Sequence, residues 1–293
     1  MSQFSSYMPL SQTLPPTPEL PPAVATGYFN NNNNVSLWYS VHGAPLRVEK
    51  SPVVLLHGGK ISSRWWGHQV AHLAAQNHTV IVTDTRAHSR SSDDTETPLS
   101  YDLFASDTVA LLDHLDISNA NFAGWSDGAI TALTLAMNYG DRLERVFAFG
   151  ASYRPDQVNM DGIRAMPFLL DLQSRMKLDY QMLSPTPDNF DTFLAKSNTM
   201  QSKYPLWDEV DFKRITTLAQ NPIAGCVVWI ATGDSEEMIQ RHVSAAMHDM
   251  ITGSSLVVLP EVSHIGPMQD PGMFNAMLDC WLSRRSRRPL TVK

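Results

Sequence analysis

Phe122-Ala123-Gly124-Trp125-Ser126-Asp127-Gly128-Ala129-Ile130 carries the pentapeptide G-x-S-x-G between a short apolar run and an alanine-rich stretch of helical spacing. Ala120-Asn121-Phe122-Ala123 reads as a buried strand and Ala129 to Tyr139 as a helix, which puts Ser126 at a strand-to-helix junction. A serine there stands on a sharp, strained turn that tolerates little bulk, hence a glycine two residues to either side. The turn lifts the hydroxyl clear of the sheet, and the helix that follows aims its N–H groups and the positive end of its dipole at the same spot.

A serine activated in this way needs a base and an orienting acid, in the chain order serine, acid, histidine. Cys226-Val227-Val228-Trp229-Ile230-Ala231 is a β-branched, apolar run of the kind that fills a parallel central strand, and it breaks at Gly233-Asp234-Ser235-Glu236-Glu237. Ser255-Leu256-Val257-Val258-Leu259-Pro260 is a second such run, followed by Glu261-Val262-Ser263-His264. Active-site groups of open α/β sheets gather at the carboxyl ends of strands, so His264 is the expected base, and Glu236 and Asp234 are the candidate acids. Pro52-Val53-Val54-Leu55-Leu56-His57-Gly58-Gly59 is a buried strand ending in His-Gly-Gly. Its Gly59 N–H and the Asp127 N–H are the expected oxyanion donors, with His57 a structural loop residue.

From Pro52 onward apolar runs alternate with helical patterns: strands at 52–56, 79–83, 120–123 and 144–149, helices near 64–75, 101–115 and 127–139. That alternation predicts right-handed βαβ units and an α/β fold with a mainly parallel central sheet and helices on both faces. Between Gly150 and Pro222 the pattern changes to helical pieces punctuated by prolines, with methionines and aromatics spread through them.

Taken together, His57-Gly58-Gly59, Asp84-Thr85-Arg86-Ala87-His88-Ser89-Arg90-Ser91, Gly124-Trp125-Ser126-Asp127-Gly128 and Ser263-His264 resemble the α/β-hydrolase superfamily, over residues 27 to 283. The resemblance implies a core at 27–150 and 223–283 and a helical cap at 151–222 whose apolar underside roofs the pocket. It places the acid three residues after the glycine that ends the strand, which favours Glu236 over Asp234. Glu237 is expected to be a solvated residue opening a helix over 237–250. In relatives, the segment matching 84–91 reads D-x-R-G-x-G-x-S. Here Ala87 and Ser89 replace both glycines, from which a different backbone shape is expected.

The implied chemistry is serine hydrolysis of an ester or lactone of a hydrophobic small molecule, without cofactor or metal, with Trp65 and Trp125 as substrate-binding residues. Carbon–carbon bond hydrolysis, or cyclisation and elimination of polyketide-like compounds, would use the same residues. A ligand-binding receptor or scaffold that has kept the fold is the alternative of another class.

Composition bounds these readings. The 293 residues carry a formal charge of −7 and 43% hydrophobic residues, enough for a large core and without the basic excess that nucleic-acid binding calls for. There is no H-E-x-x-H, no P-loop and no G-x-G-x-x-G after a strand, and no apolar run of signal-peptide or membrane-spanning length. Cys226 and Cys280 form no C-x-x-C pair and are expected as buried small hydrophobes in a reducing compartment, so a cytoplasmic protein is expected. Residues 1–26 are rich in Ser, Thr and Pro and read as an extended arm. The Asn30–Asn34 run reads as a hairpin loop, and 284–293 as a basic, solvated tail.

Overall fold

The computed structural model describes residues 8–31, 35–46, 51–94, 96–217, 219–221 and 225–284. Its strands are β1 (Ala25–Asn30), β2 (Ser36–Gly43), β3 (Val53–Leu56), β4 (Thr79–Thr83), β5 (Ala120–Trp125), β6 (Leu143–Phe149), β7 (Val227–Gly233) and β8 (Ser255–Leu259). Its helices are α1 (Gly67–Ala75), α2 (Tyr101–His114), α3 (Asp127–Asn138), α4 (Met160–Ala165), α5 (Leu169–Leu183), α6 (Phe190–Gln201), α7 (Glu209–Phe212), α8 (His242–Met250), α9 (Gly266–Gln269) and α10 (Pro271–Leu282). The strands form one 8-stranded sheet in the order β1-β2-β4-β3-β5-β6-β7-β8. The hairpin β1–β2 is antiparallel and joins β4 antiparallel, while every pairing from β4 across to β8 is parallel.

Successive residues of a strand face opposite sides of a sheet, so a strand covered on both sides must be apolar throughout. Val53, Val54, Leu55 and Leu56 of β3 meet that requirement. Val54 and Leu56 join one buried cluster with Phe122, Leu133 and Val146, whereas Val53 and Leu55 join the other with Trp65, Trp125, Phe147, Phe274 and Trp281. The helices on the two faces hold β5 at the centre of the sheet, and its carboxyl end delivers Ser126.

Three expectations are corrected. The run Ser255–Leu259 forms the edge strand, with Leu256 and Val258 exposed. The helix expected over 237–250 begins only at His242, because the Glu236 carboxylate accepts the Met238 and Ile239 N–H groups and holds that stretch in a turn. Cys226 is buried, but Cys280 is exposed: α10 turns Phe274, Leu278 and Trp281 inward, which leaves position 280 on the outer side.

Helices α4 to α7 occupy the segment between β6 and β7. The expected boundary at residues 222–223 lies outside the described residues, as do 32–34 of the asparagine run, residues 1–7 of the arm and 285–293 of the basic tail. The described part of the arm lies on the protein. Leu14 and Leu20 pack against the second cluster, Gln269 donates to the Thr13 carbonyl (2.8 Å), and Arg175 of α5 donates to the carbonyls of Leu14 and Pro15.

Candidate active site

Ser126 caps the N-terminus of α3 with φ 56° and ψ −120°, a conformation L-residues rarely hold. Its N–H donates to the Phe149 carbonyl (2.8 Å), and its own carbonyl accepts from Ala129 (2.8 Å) and Ile130 (3.0 Å). Only glycine fits at 128, where a Cβ would collide with the Leu56 and His57 carbonyls; helix α3 therefore starts hard against the end of β3.

His264 is buried, and its Nδ1–H donates to both Glu236 oxygens, at 2.9 and 3.0 Å. The Glu236 Oε1 atom also accepts from Met238 (2.9 Å) and Ile239 (3.1 Å), so the carboxylate arrives already oriented. The structure thus brings Glu236 to the imidazole, while Asp234 stands exposed and accepts from the Ser235 hydroxyl. The end of β6 touches both partners of the site. Phe149 holds the Ser126 N–H, and the next residue, Gly150, leaves no room for a side chain: a Cβ there would stand 2.8 Å from His264 Cε1. Burial opposes protonation of His264, but the charge and hydrogen bond of Glu236 outweigh it and hold the imidazole pKa above its ordinary value.

Glu237 departs from its expected role as a solvated residue. It is partly buried, its Oε2 accepts the His264 backbone N–H (3.0 Å), and its Oε1 is buried without a partner. Burial, followed by the neighbouring Glu236 charge, raises its carboxyl pKa.

Gly59 stands where a Cβ would collide with the Asp127 carboxylate and the Gln201 amide. The loop before it is fixed by His57, whose Nδ1–H donates to the Gly58 carbonyl (2.8 Å) and whose Nε2 accepts the Thr85 N–H (2.9 Å). These two bonds require the neutral ring, which burial also favours. The Asp127 carboxylate is buried; it accepts from the Tyr101 hydroxyl (2.9 Å) and from Gln201 Nε2 (2.8 Å), and the Gln201 oxygen accepts from Lys60 Nζ (2.7 Å).

The 84–91 loop holds left-handed backbone at Ala87 (φ 66°) and Ser89 (φ 45°), the two positions without glycine. Asp84, fully buried, accepts from Ser63 N (2.9 Å), Ser63 Oγ (2.6 Å), Arg90 N (3.1 Å) and Arg90 Nη1 (2.8 Å), a web strong enough to hold two strained residues. His88 in this loop donates from Nδ1 to the Arg86 carbonyl (2.9 Å) and packs on Phe193 of α6 at 4.7 Å. Burial, followed by nearby His57, lowers its pKa to about 3.

Trp65 and Trp125, expected as substrate contacts, are core residues. Both are at most 2% exposed and their rings meet at 6.1 Å. Trp65 Nε1 donates to Asp179 Oδ2 and Trp125 Nε1 to the His264 carbonyl, which satisfies the only polar atom of each side chain. Sequence reasoning passed over Lys60, Tyr101, Asp179, Gln201 and the buried role of Glu237. Lys60, directly after the His-Gly-Gly run, carried a local signal; Gln201 and Asp179 had none. Among the described residues no group of three His, Cys, Asp or Glu side chains is placed to hold a metal ion, and no helix is long and apolar enough to cross a membrane.

With this geometry in hand, comparison with known proteins gives a consistent pattern. A family model described as the alpha/beta hydrolase family matches residues 53–277. The chain is 25% identical over 272 residues to 3-oxoadipate enol-lactonase 2 of Acinetobacter baylyi, covering 86% of this chain and 94% of that protein. It is 26% identical over 261 residues to the serine hydrolase BPHL of Homo sapiens, covering 85% and 84%. Among solved structures, the enol-lactonase from Burkholderia xenovorans superposes with a TM-score of 0.66 at 21% identity, over 88% of this chain and 100% of that one.

Proposed function

Since this chain belongs to the alpha/beta hydrolase family, we propose that it is a serine hydrolase that cleaves an ester or lactone of a hydrophobic small molecule through an acyl-enzyme. His264, oriented by Glu236, takes the Ser126 proton as Oγ attacks the carbonyl carbon. The Gly59 and Asp127 N–H groups receive the oxyanion; collapse of the tetrahedral intermediate expels the alcohol, which takes the proton back from His264. Water, deprotonated by the same imidazole, attacks the acyl carbon, and the bond to Ser126 Oγ breaks as Oγ takes that proton from His264 and the acid is released.

The observation that carries this reading is the pairing of a strained Ser126 at a helix N-terminus with a buried His264 whose ring is fixed by Glu236, both abutting the Phe149-Gly150 strand end. The segment 151–222 acts as a cap in this reading. Its Tyr180 and Phe193 stack at 5.0 Å, and Phe193 in turn lies on His88; these buried rings seat α5 and α6 on the core beside the 84–91 loop. The relatives named an enol-lactonase and a serine hydrolase support the ester or lactone class.

The test is active-site labelling. A fluorophosphonate should phosphonylate wild-type protein at Ser126, located by peptide mass, and leave Ser126→Ala unlabelled and His264→Ala slowed by several orders of magnitude. Labelling elsewhere, or equal labelling of Ser126→Ala, would refute the covalent route.

A further inference from the structure

The Asp127 carboxylate poses an electrostatic problem for the reaction proposed above. Its own backbone N–H and that of Gly59 are the donors offered to the oxyanion, yet its side chain lies so close to Gly59 that no Cβ fits between them. A negative charge at that distance opposes the negative charge that develops on the substrate oxygen. The structure answers it with a chain of polar groups. Tyr101 donates to Oδ1 (2.9 Å), Gln201 Nε2 donates to Oδ2 (2.8 Å), and Lys60 Nζ donates to the Gln201 oxygen (2.7 Å).

Two of these groups come from the core, since Lys60 follows Gly59 and Tyr101 opens α2. Gln201 is different. It is the last residue of α6, in the helical segment between β6 and β7, and it is the link through which the ammonium of Lys60 polarises toward the carboxylate. With α6 displaced, Asp127 would keep only Tyr101, and the Gln201 bond to Lys60 would be lost. We propose that Gln201 is a positioning residue that, together with Lys60, offsets the Asp127 carboxylate at the oxyanion site, so that Ser126 reacts at full rate only when the end of α6 is seated.

The proposal rests on the serine hydrolase reading, and phosphonylation separates the two because the probe forms a tetrahedral, oxygen-bearing adduct without requiring the natural substrate. The rate of Ser126 labelling is measured in the full chain for wild type, Gln201→Ala, Gln201→Glu and Lys60→Met, each alone and combined with Asp127→Asn, with melting curves alongside. Gln201→Ala is expected to slow labelling on the order of tenfold and Gln201→Glu by more, because it adds a second negative charge. In the Asp127→Asn background the Gln201→Ala penalty should shrink to within about twofold. Lys60→Met should follow Gln201→Ala while keeping the α6 sequence and the Gln201 bond to Asp127, which keeps the test valid even if changes at Gln201 itself loosen that helix.

Equal rates for wild type and the Gln201 variants would overturn the proposal. So would a Gln201→Ala penalty unchanged by Asp127→Asn, which would make Gln201 a packing residue. Wild-type protein that does not label at Ser126 would instead overturn the hydrolase reading, and this inference with it.

Discussion

The indole N–H of Trp125 donates to the backbone carbonyl of His264 at 2.8 Å, tying the residue before Ser126 to the loop that carries the imidazole. The bond is buried and joins positions 139 residues apart in sequence. It makes the separation of serine and histidine a property of the core instead of a property of two independent loops.

Trp125→Phe should therefore affect reactivity beyond its cost in stability. Losing one buried hydrogen bond costs about 1–2 kcal/mol, measured by denaturant unfolding. The Ser126 labelling rate should fall by more than tenfold, because a carbonyl left unpartnered frees the His264 loop to shift, and small displacements of a base are costly. A stability loss with an unchanged labelling rate would show that the loop is held by other contacts.

The raised pKa of His264 sets the pH dependence. Attack by Ser126 requires the neutral ring, so the acidic limb of the labelling rate should have its midpoint above about 6.5, the ordinary histidine value. Folding stability runs the other way: the proton held by the Glu236 pair stabilises the folded state below the unfolded histidine pKa, and this contribution is lost as pH rises through the raised folded value. Glu236→Gln removes the charge responsible. It should move the limb to lower pH and lower the plateau by up to about 10⁴-fold.

Ser126 holds its strained backbone whatever its side chain does, so removing the hydroxyl alone relieves nothing. Ser126→Ala should melt close to wild type, whereas Ser126→Gly, free to adopt positive φ, should gain about 1 kcal/mol and melt about 2–4 °C higher. Calorimetry of the pair decides it. Identical melting points would mean that the turn is not strained by the presence of a Cβ.

Asp179 of α5 is buried beneath three donors: Ser62 Oγ (2.9 Å), Trp65 Nε1 (2.9 Å) and Arg64 Nη1 (3.2 Å). Asp179→Ala would strand the Trp65 N–H and leave Arg64 with Glu19 alone as its acidic partner, at a cost of about 2–4 kcal/mol. Hydrogen exchange should show α5 amides opening faster while β5 and β6 stay protected. Faster exchange throughout the sheet would instead identify Asp179 as a determinant of the whole fold.

The legible part of this protein is the part written in local patterns. The β-branched runs marked strands to within a residue or two, and 79–83 coincides with β4. The elbow glycines and the His-Gly-Gly run have local causes, a tight turn and a close approach. The positive φ of Ala87 and Ser89 had no local signal, because neither is glycine and the loop is held by Asp84, whose carboxylate bonds Ser63 across 21 residues as well as Arg90. Glu237 misled because the partner that buries it, the His264 N–H, lies 27 residues away. Asp179 meets Trp65 across 114 residues and Gln201 meets Asp127 across 74, contacts that no periodicity encodes.

The arm that precedes β1 reaches both halves of the molecule. The Thr13 carbonyl takes the Gln269 amide of the core, the Leu14 and Pro15 carbonyls take Arg175 of α5, and the Glu19 carboxylate takes Arg64, which also grips Asp179. For protein engineering, this couples two stretches that a modular view would treat as separate. Exchanging the segment between β6 and β7 for one without an arginine at the position of Arg175 would strip the arm of that anchor, so such a chimera has to transplant arm and segment as a matched pair.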